Sequence, residues 1–69
     1  MNQFSIGKQE YIQLNDLLKH LSIVGTGGEA KIIILNGEVK VNGEVELQVR
    51  KKLRPQDVVE VYNEKIKIV

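Results

Sequence analysis

The sequence predicts a small α+β domain with two short helices first and short strands after them. Three observations predict it. Leu14, Leu17, Leu18 and Leu21 stand at i, i+3, i+4 and i+7, the spacing of one helical face. Thr26-Gly27-Gly28-Glu29 carries the T-x-x-E signature that opens a helix. From Val39 onward the hydrophobic period changes to two, as in half-buried strands.

The first helix is expected to follow the dipole rule, with Asp16 near its start and Lys19 and His20 near its end. Ser22 to Gly25 then form a connector. In the second helix, the Thr26 and Glu29 side chains are each expected to satisfy an exposed backbone N–H of the first turn. Ala30, Ile33 and Ile34 make its inward stripe, and Asn36-Gly37 stops it. Ile32 and Leu35 point off that stripe, so a second layer is expected over them, with Phe4 and Ile6 as candidates.

Around Asn42-Gly43 two hairpin registers compete. A two-residue loop would set Val41 against Glu44 and Lys40 against Val45, mixing faces. A three-residue loop, Asn42 to Glu44, pairs Val41 with Val45, Val39 with Leu47 and Lys40 with Glu46, and is the expected register. Pro55-Gln56-Asp57 marks a turn. Val59 and Val61, then Ile66 and Ile68, read as two strands joined around Asn63-Glu64.

A chain of 69 residues has room for one modest core, so residues 1–69 are expected to form a single domain. Its 42% hydrophobic and 28% charged residues argue against disorder. With no cysteine, neither a disulfide nor a thiolate metal site staples the fold. Residues 1–13 lack the apolar stretch of a signal peptide, and the longest apolar run, Ile32 to Leu35, is far too short to span a bilayer; a cytoplasmic setting is expected.

The net charge of +1 excludes a uniformly basic nucleic-acid binder, but the charges are segregated. Arg50, Lys51, Lys52 and Arg54 crowd five positions without an acid, and such a run can contact phosphates and release counterions. Lys31 and Lys40 extend its reach. Gly25-Thr26-Gly27-Gly28, at a helix start, can approach a phosphate, yet lacks the G-K-[ST] ending of a nucleotide P-loop. Simpler roles suit both features: a permissive turn with its cap, and a solvated loop. His20 has no partner at metal-ligand spacing, and Ser5, Ser22 and Thr26 have no adjacent base. Asp16 and Asp57 form no acid–base pair, so no enzyme chemistry, metal, cofactor or small-molecule substrate is expected. Phe4, Tyr11 and Tyr62 read as too few and too scattered for a base-stacking platform.

The order of a helix, T-G-G-E-A-K, the G-E-V-x-V-N-G hairpin, a basic segment and L-R-P-x-D-V-V-E-V strongly resembles the S-four RNA-binding domain, named after a small-subunit ribosomal protein and sometimes described by its αL motif. The resemblance covers roughly residues 12 to 62 and is closest to small bacterial proteins made of little else. It implies two helices packed on a small, mostly antiparallel sheet, with structured RNA, usually ribosomal or transfer RNA, bound across helices and hairpin. Carried over by position, Thr26, Gly27 and Gly28 open the RNA-facing helix and Lys31 follows. Lys40 and Asn42 lie on the hairpin, and Arg50, Lys51, Lys52 and Arg54 form the basic edge. Ala30, Ile33, Ile34, Val39 and Val41 fall at core positions.

Three departures stand out. Gln13-Leu14-Asn15 replaces a common Arg-Leu-Asp, Gly27-Gly28 replaces a more polar pair, and Gln56 stands where P-G-D usually has glycine. The resulting expectation is a stand-alone, non-enzymatic module for structured RNA, with the ribosome as one setting. The alternative is a protein–protein adaptor that keeps the fold. A ubiquitin-like sulfur carrier is not expected, since that reading needs a reactive Gly-Gly terminus and the sequence ends Lys67-Ile68-Val69.

Overall fold

The computed structural model describes residues 2–69. In chain order it contains β1 (Asn2–Phe4), β2 (Ile12–Gln13), α1 (Leu14–His20), α2 (Gly27–Leu35), β3 (Val39–Val41), β4 (Glu44–Val45), β5 (Lys52–Leu53), β6 (Val58–Val61) and β7 (Glu64–Ile68). Five strands form one sheet in the order β1-β7-β6-β3-β4, and β2 and β5 form a separate two-stranded ladder. All pairs are antiparallel except β1 with β7. The α+β class and the mostly antiparallel sheet agree with the sequence reading.

The core is the meeting of the two periodicities. Val39 pairs with Val61, and Val41 with Val59, which in turn faces Ile66. These side chains, with Ile68, are buried in one cluster with Leu14, Leu17 and Leu18 of α1 and Ala30, Ile33 and Ile34 of α2. Ile6, Ile12, Val24 and Leu53 belong to the same cluster. Every core position carried over from the resemblance is buried.

Both helices stop in the same way. Ser22 (φ 59°) and Gly37 (φ 78°) take the left-handed conformation after the last helical turns. The next residues, Ile23 and Glu38, donate back to Leu18 O and Ile33 O, while Ser22 and Gly37 donate to Lys19 O and Ile34 O. This is the Schellman arrangement, which satisfies carbonyls the helix leaves open.

Several expectations need correction. Asn42 (φ 53°) and Gly43 (φ 87°) both take positive φ, so the first hairpin closes with a two-residue loop. Lys40 therefore faces Val45, and Val41 faces Glu44. Mixing faces costs little there, because β4 is a two-residue edge strand exposed along its length. The second hairpin turns at Tyr62-Asn63, one residue earlier than expected, with both residues again at positive φ and Val61 opposite Glu64.

No second layer covers α2: Ile32 and Leu35 are 60% and 53% exposed. The N-terminal segment runs instead along the far edge of the sheet, β1 beside β7, where Ile6 and Val69 extend the pairing by hydrogen bonds of 3.0 and 2.9 Å. Of the expected capping box only one half forms. Thr26 Oγ1 accepts from the Glu29 N–H at 3.2 Å, but among the described residues the reciprocal bond from Thr26 N–H to Glu29 is absent.

The Pro55 turn closes with the Asp57 N–H donating to Arg54 O at 3.0 Å, and Gln56 adopts φ 85°. A glycine would hold that conformation without a Cβ penalty. Among the described residues no helix is long and apolar enough to cross a membrane.

Candidate nucleic-acid interface

The basic segment is placed by its backbone. Gln13 and Lys52 pair across the ladder, as do Ile12 and Leu53. Strand alternation buries Ile12 and Leu53 in the core and turns Gln13 and Lys52 outward. The Val49-Arg50 turn closes with the Lys51 N–H donating to Gln48 O at 3.2 Å. Two carbonyls of this segment then serve α1: Leu14 and Asn15 donate to Lys51 O and Val49 O at 2.9 and 3.1 Å. Gln13, the N-cap residue of α1, makes no side-chain cap bond, and these carbonyls do that work. The basic run is thus held against α1 while Arg50, Lys52 and Arg54 remain exposed and Lys51 half-buried.

Among the described residues, the ion pair found joins Lys19 to Asp16 at 3.4 Å. Among the described residues the four cations of the segment have no carboxylate partner. Two of them gather at an aromatic ring. Lys52 Nζ lies 5.0 Å, and Arg54 Cζ 5.9 Å, from the centroid of the half-buried Tyr11 ring, within cation–π range. Sequence reasoning dismissed Tyr11 as a scattered aromatic. No local signal marks it, because the Tyr11-Ile12-Gln13 and Lys52-Leu53-Arg54 triplets share an outer face only once β2 pairs with β5.

A second cluster lies at the start of α2. Thr26 caps the helix, and the Gly27 and Gly28 N–H groups have no hydrogen-bond partner among the described residues. A Cβ at Gly27 would meet nothing within 4 Å, so this helix start is open. Lys31 is exposed one turn on. Such an end attracts anions through its free donors and dipole.

The two hairpin candidates are placed differently. Lys40 projects from the sheet face opposite the helices, where Glu60 and then Lys65 face it across the strands. Asn42 uses both ends of its amide inside the protein. Its Nδ2 donates to Asp57 Oδ1 at 3.0 Å, and its Oδ1 accepts from the Val58 N–H at 2.9 Å. The other Asp57 oxygen accepts from the Arg54 N–H at 2.8 Å. Asn42 thereby fastens the hairpin to the turn that carries Arg54. Among the described residues no group of three or more acidic or imidazole side chains could hold a metal ion.

Two helices on a mostly antiparallel sheet, with a basic segment fastened to the first helix, define a small αL-type domain. The chain belongs to the S4-domain family, whose profile matches residues 4–69. It is 38% identical over 69 residues to YbcJ of Escherichia coli (strain K12), covering all of this chain and 99% of that protein, and equally to YbcJ of Shigella flexneri. The solution structure of E. coli YbcJ, described as revealing an αL motif involved in RNA binding, matches with a TM-score of 0.75 over 100% of this chain and 87% of that one. The crystal structure of the 30S ribosomal protein S4e from Thermoplasma acidophilum matches with a TM-score of 0.73 and 27% identity, over 90% of this chain and 33% of that one.

Proposed function

We propose that this chain is a non-enzymatic, single-domain RNA-binding module that recognises structured RNA, ribosomal or transfer RNA, in the cytoplasm and in association with the ribosome. The observation that carries the reading is the cation edge of residues 50–54, without carboxylate partners among the described residues and fixed in place by the ladder. The open start of α2, with Thr26, Gly27, Gly28 and Lys31, supplies a second phosphate contact. The αL motif described for YbcJ, and the ribosomal setting of S4e, support the same reading. Recognition rests on shape and phosphates, because A-form RNA hides its major-groove base edges from side chains.

The test is a titration of a transfer RNA and an rRNA hairpin across salt concentration. A variant with Arg50, Lys51 and Lys52 all changed to Gln should bind more weakly, with a log–log salt slope shallower by roughly two. Unchanged affinity in this variant would remove the proposed face.

A second reading, a protein–protein adaptor, is favoured by one observation. Ile32 and Leu35, three residues apart on α2, expose adjoining apolar side chains. It becomes the leading reading if the unmodified protein binds neither RNA at low salt.

A further inference from the structure

The outer face of the β2/β5 ladder adjoins an open surface groove. Tyr11 belongs to both. Lys52 Nζ and Arg54 Cζ lie over its ring, and Tyr11 also lines the groove, with Gln9, Glu10, Gln13, Asp16 and His20. The signs of these charges sort what each part can hold. Glu10 repels a phosphate from the groove and Asp16 is already paired with Lys19, whereas carboxylates and amides can hydrogen-bond the N–H and carbonyl edge of a heterocycle. Lys52 and Arg54, immediately beside it, suit the phosphates that would flank such a base.

We propose that Tyr11 is the stacking seat for one unpaired nucleotide of the bound RNA, with its base in this groove and its phosphates on Lys52 and Arg54. The inference rests on the RNA-binding reading above and adds a requirement that the reading does not contain: a nucleotide outside the duplex. A fully paired helix has no base to offer the groove, while a bulge or an overhang does. The groove around Tyr62 on the open sheet face is a poorer seat, since Lys40, Glu60 and Lys65 alternate in sign there.

The experiment compares two RNAs that share one stem, a hairpin with a single-nucleotide bulge and the same hairpin fully paired. Base–aromatic stacking implies that the protein should prefer the bulged RNA by about fivefold or more. Tyr11→Phe should keep that preference, and Tyr11→Ala should lose it while retaining affinity for the paired stem.

A second measurement leaves position 11 untouched. The sequence has two tyrosines and no tryptophan, so in Tyr62→Phe the emission comes from Tyr11 alone. Stacking should quench it with the bulged RNA and not with the paired one. Equal affinity for both RNAs, or equal loss for both in Tyr11→Ala with Tyr11 emission unquenched, would overturn the nucleotide seat and leave the phosphate-binding reading standing. Failure of the unmodified protein to bind either RNA would overturn both.

Discussion

The two helices begin in opposite ways. The start of α1 has no side-chain cap; two of its N–H groups are plugged by Lys51 O and Val49 O of the basic segment. The start of α2 is capped by its own Thr26, and the glycine N–H groups beside it have no hydrogen-bond partner among the described residues. Both ends carry the same positive dipole. At α1 that dipole is spent on the protein's own carbonyls, and the segment supplying them turns its cations outward. At α2 the dipole itself is available. One positive surface is therefore built by side chains and the other by backbone, which explains how a chain of net charge +1 can present two anion-attracting features.

Breaking the plug should have the largest effect. Leu53 is fully buried and anchors the ladder that holds the basic segment against α1. Leu53→Ala should lower unfolding free energy by about 2–5 kcal/mol, the usual range for a buried leucine truncation. In a domain this small that approaches the whole stability. Urea unfolding followed by circular dichroism measures it. A loss below 1 kcal/mol, well under that range, would mean that the ladder contributes little to the core.

Removing the side-chain cap should cost less. Thr26→Ala deletes the acceptor for the Glu29 N–H and should cost about 1 kcal/mol. Glu29 offers no compensation, because the reciprocal bond is absent among the described residues. Gln13→Ala, at the equivalent position of α1, should leave urea stability within about 0.5 kcal/mol, since its side chain caps nothing. Equal losses at the two positions would erase the distinction between a plugged and a capped helix.

The same contrast explains which parts were legible in the sequence. The Leu14-Leu17-Leu18 stripe, the Thr26 cap and the Gly37 stop were readable because each signal lies in or next to the helix it makes, while Leu21 closes α1 as its C-cap. The first hairpin was misread because facial alternation was weighed above turn chemistry. Asn42-Gly43 favours a two-residue loop, and the exposed edge strand β4 exerts no opposing demand. The β1 strand and the ladder were invisible for another reason. Asn2-Gln3-Phe4, Ile12-Gln13 and Lys52-Leu53 are too short to show a period, and only distant partners make strands of them. Tyr11 was lost with the ladder, because its neighbours Lys52 and Arg54 come from the far half of the chain.

A stabilising substitution separates structure from binding most sharply. Gly27 lies in the first turn of α2 with open space where its Cβ would be. Gly27→Asp adds a carboxylate beside free N–H groups at the positive end of the dipole. It should therefore raise stability by about 0.3–1 kcal/mol. The same carboxylate occupies the place a phosphate would take, so RNA affinity should fall severalfold at low salt. Changing Gly27 to Asn, which adds a similar side chain without the charge, should leave affinity within about twofold, because Coulomb repulsion is then absent. Opposite signs for stability and affinity in the Asp variant would mark the start of α2 as a phosphate contact. An Asp variant that gains stability and still binds RNA like the unmodified protein would restrict the interface to the basic edge beside α1.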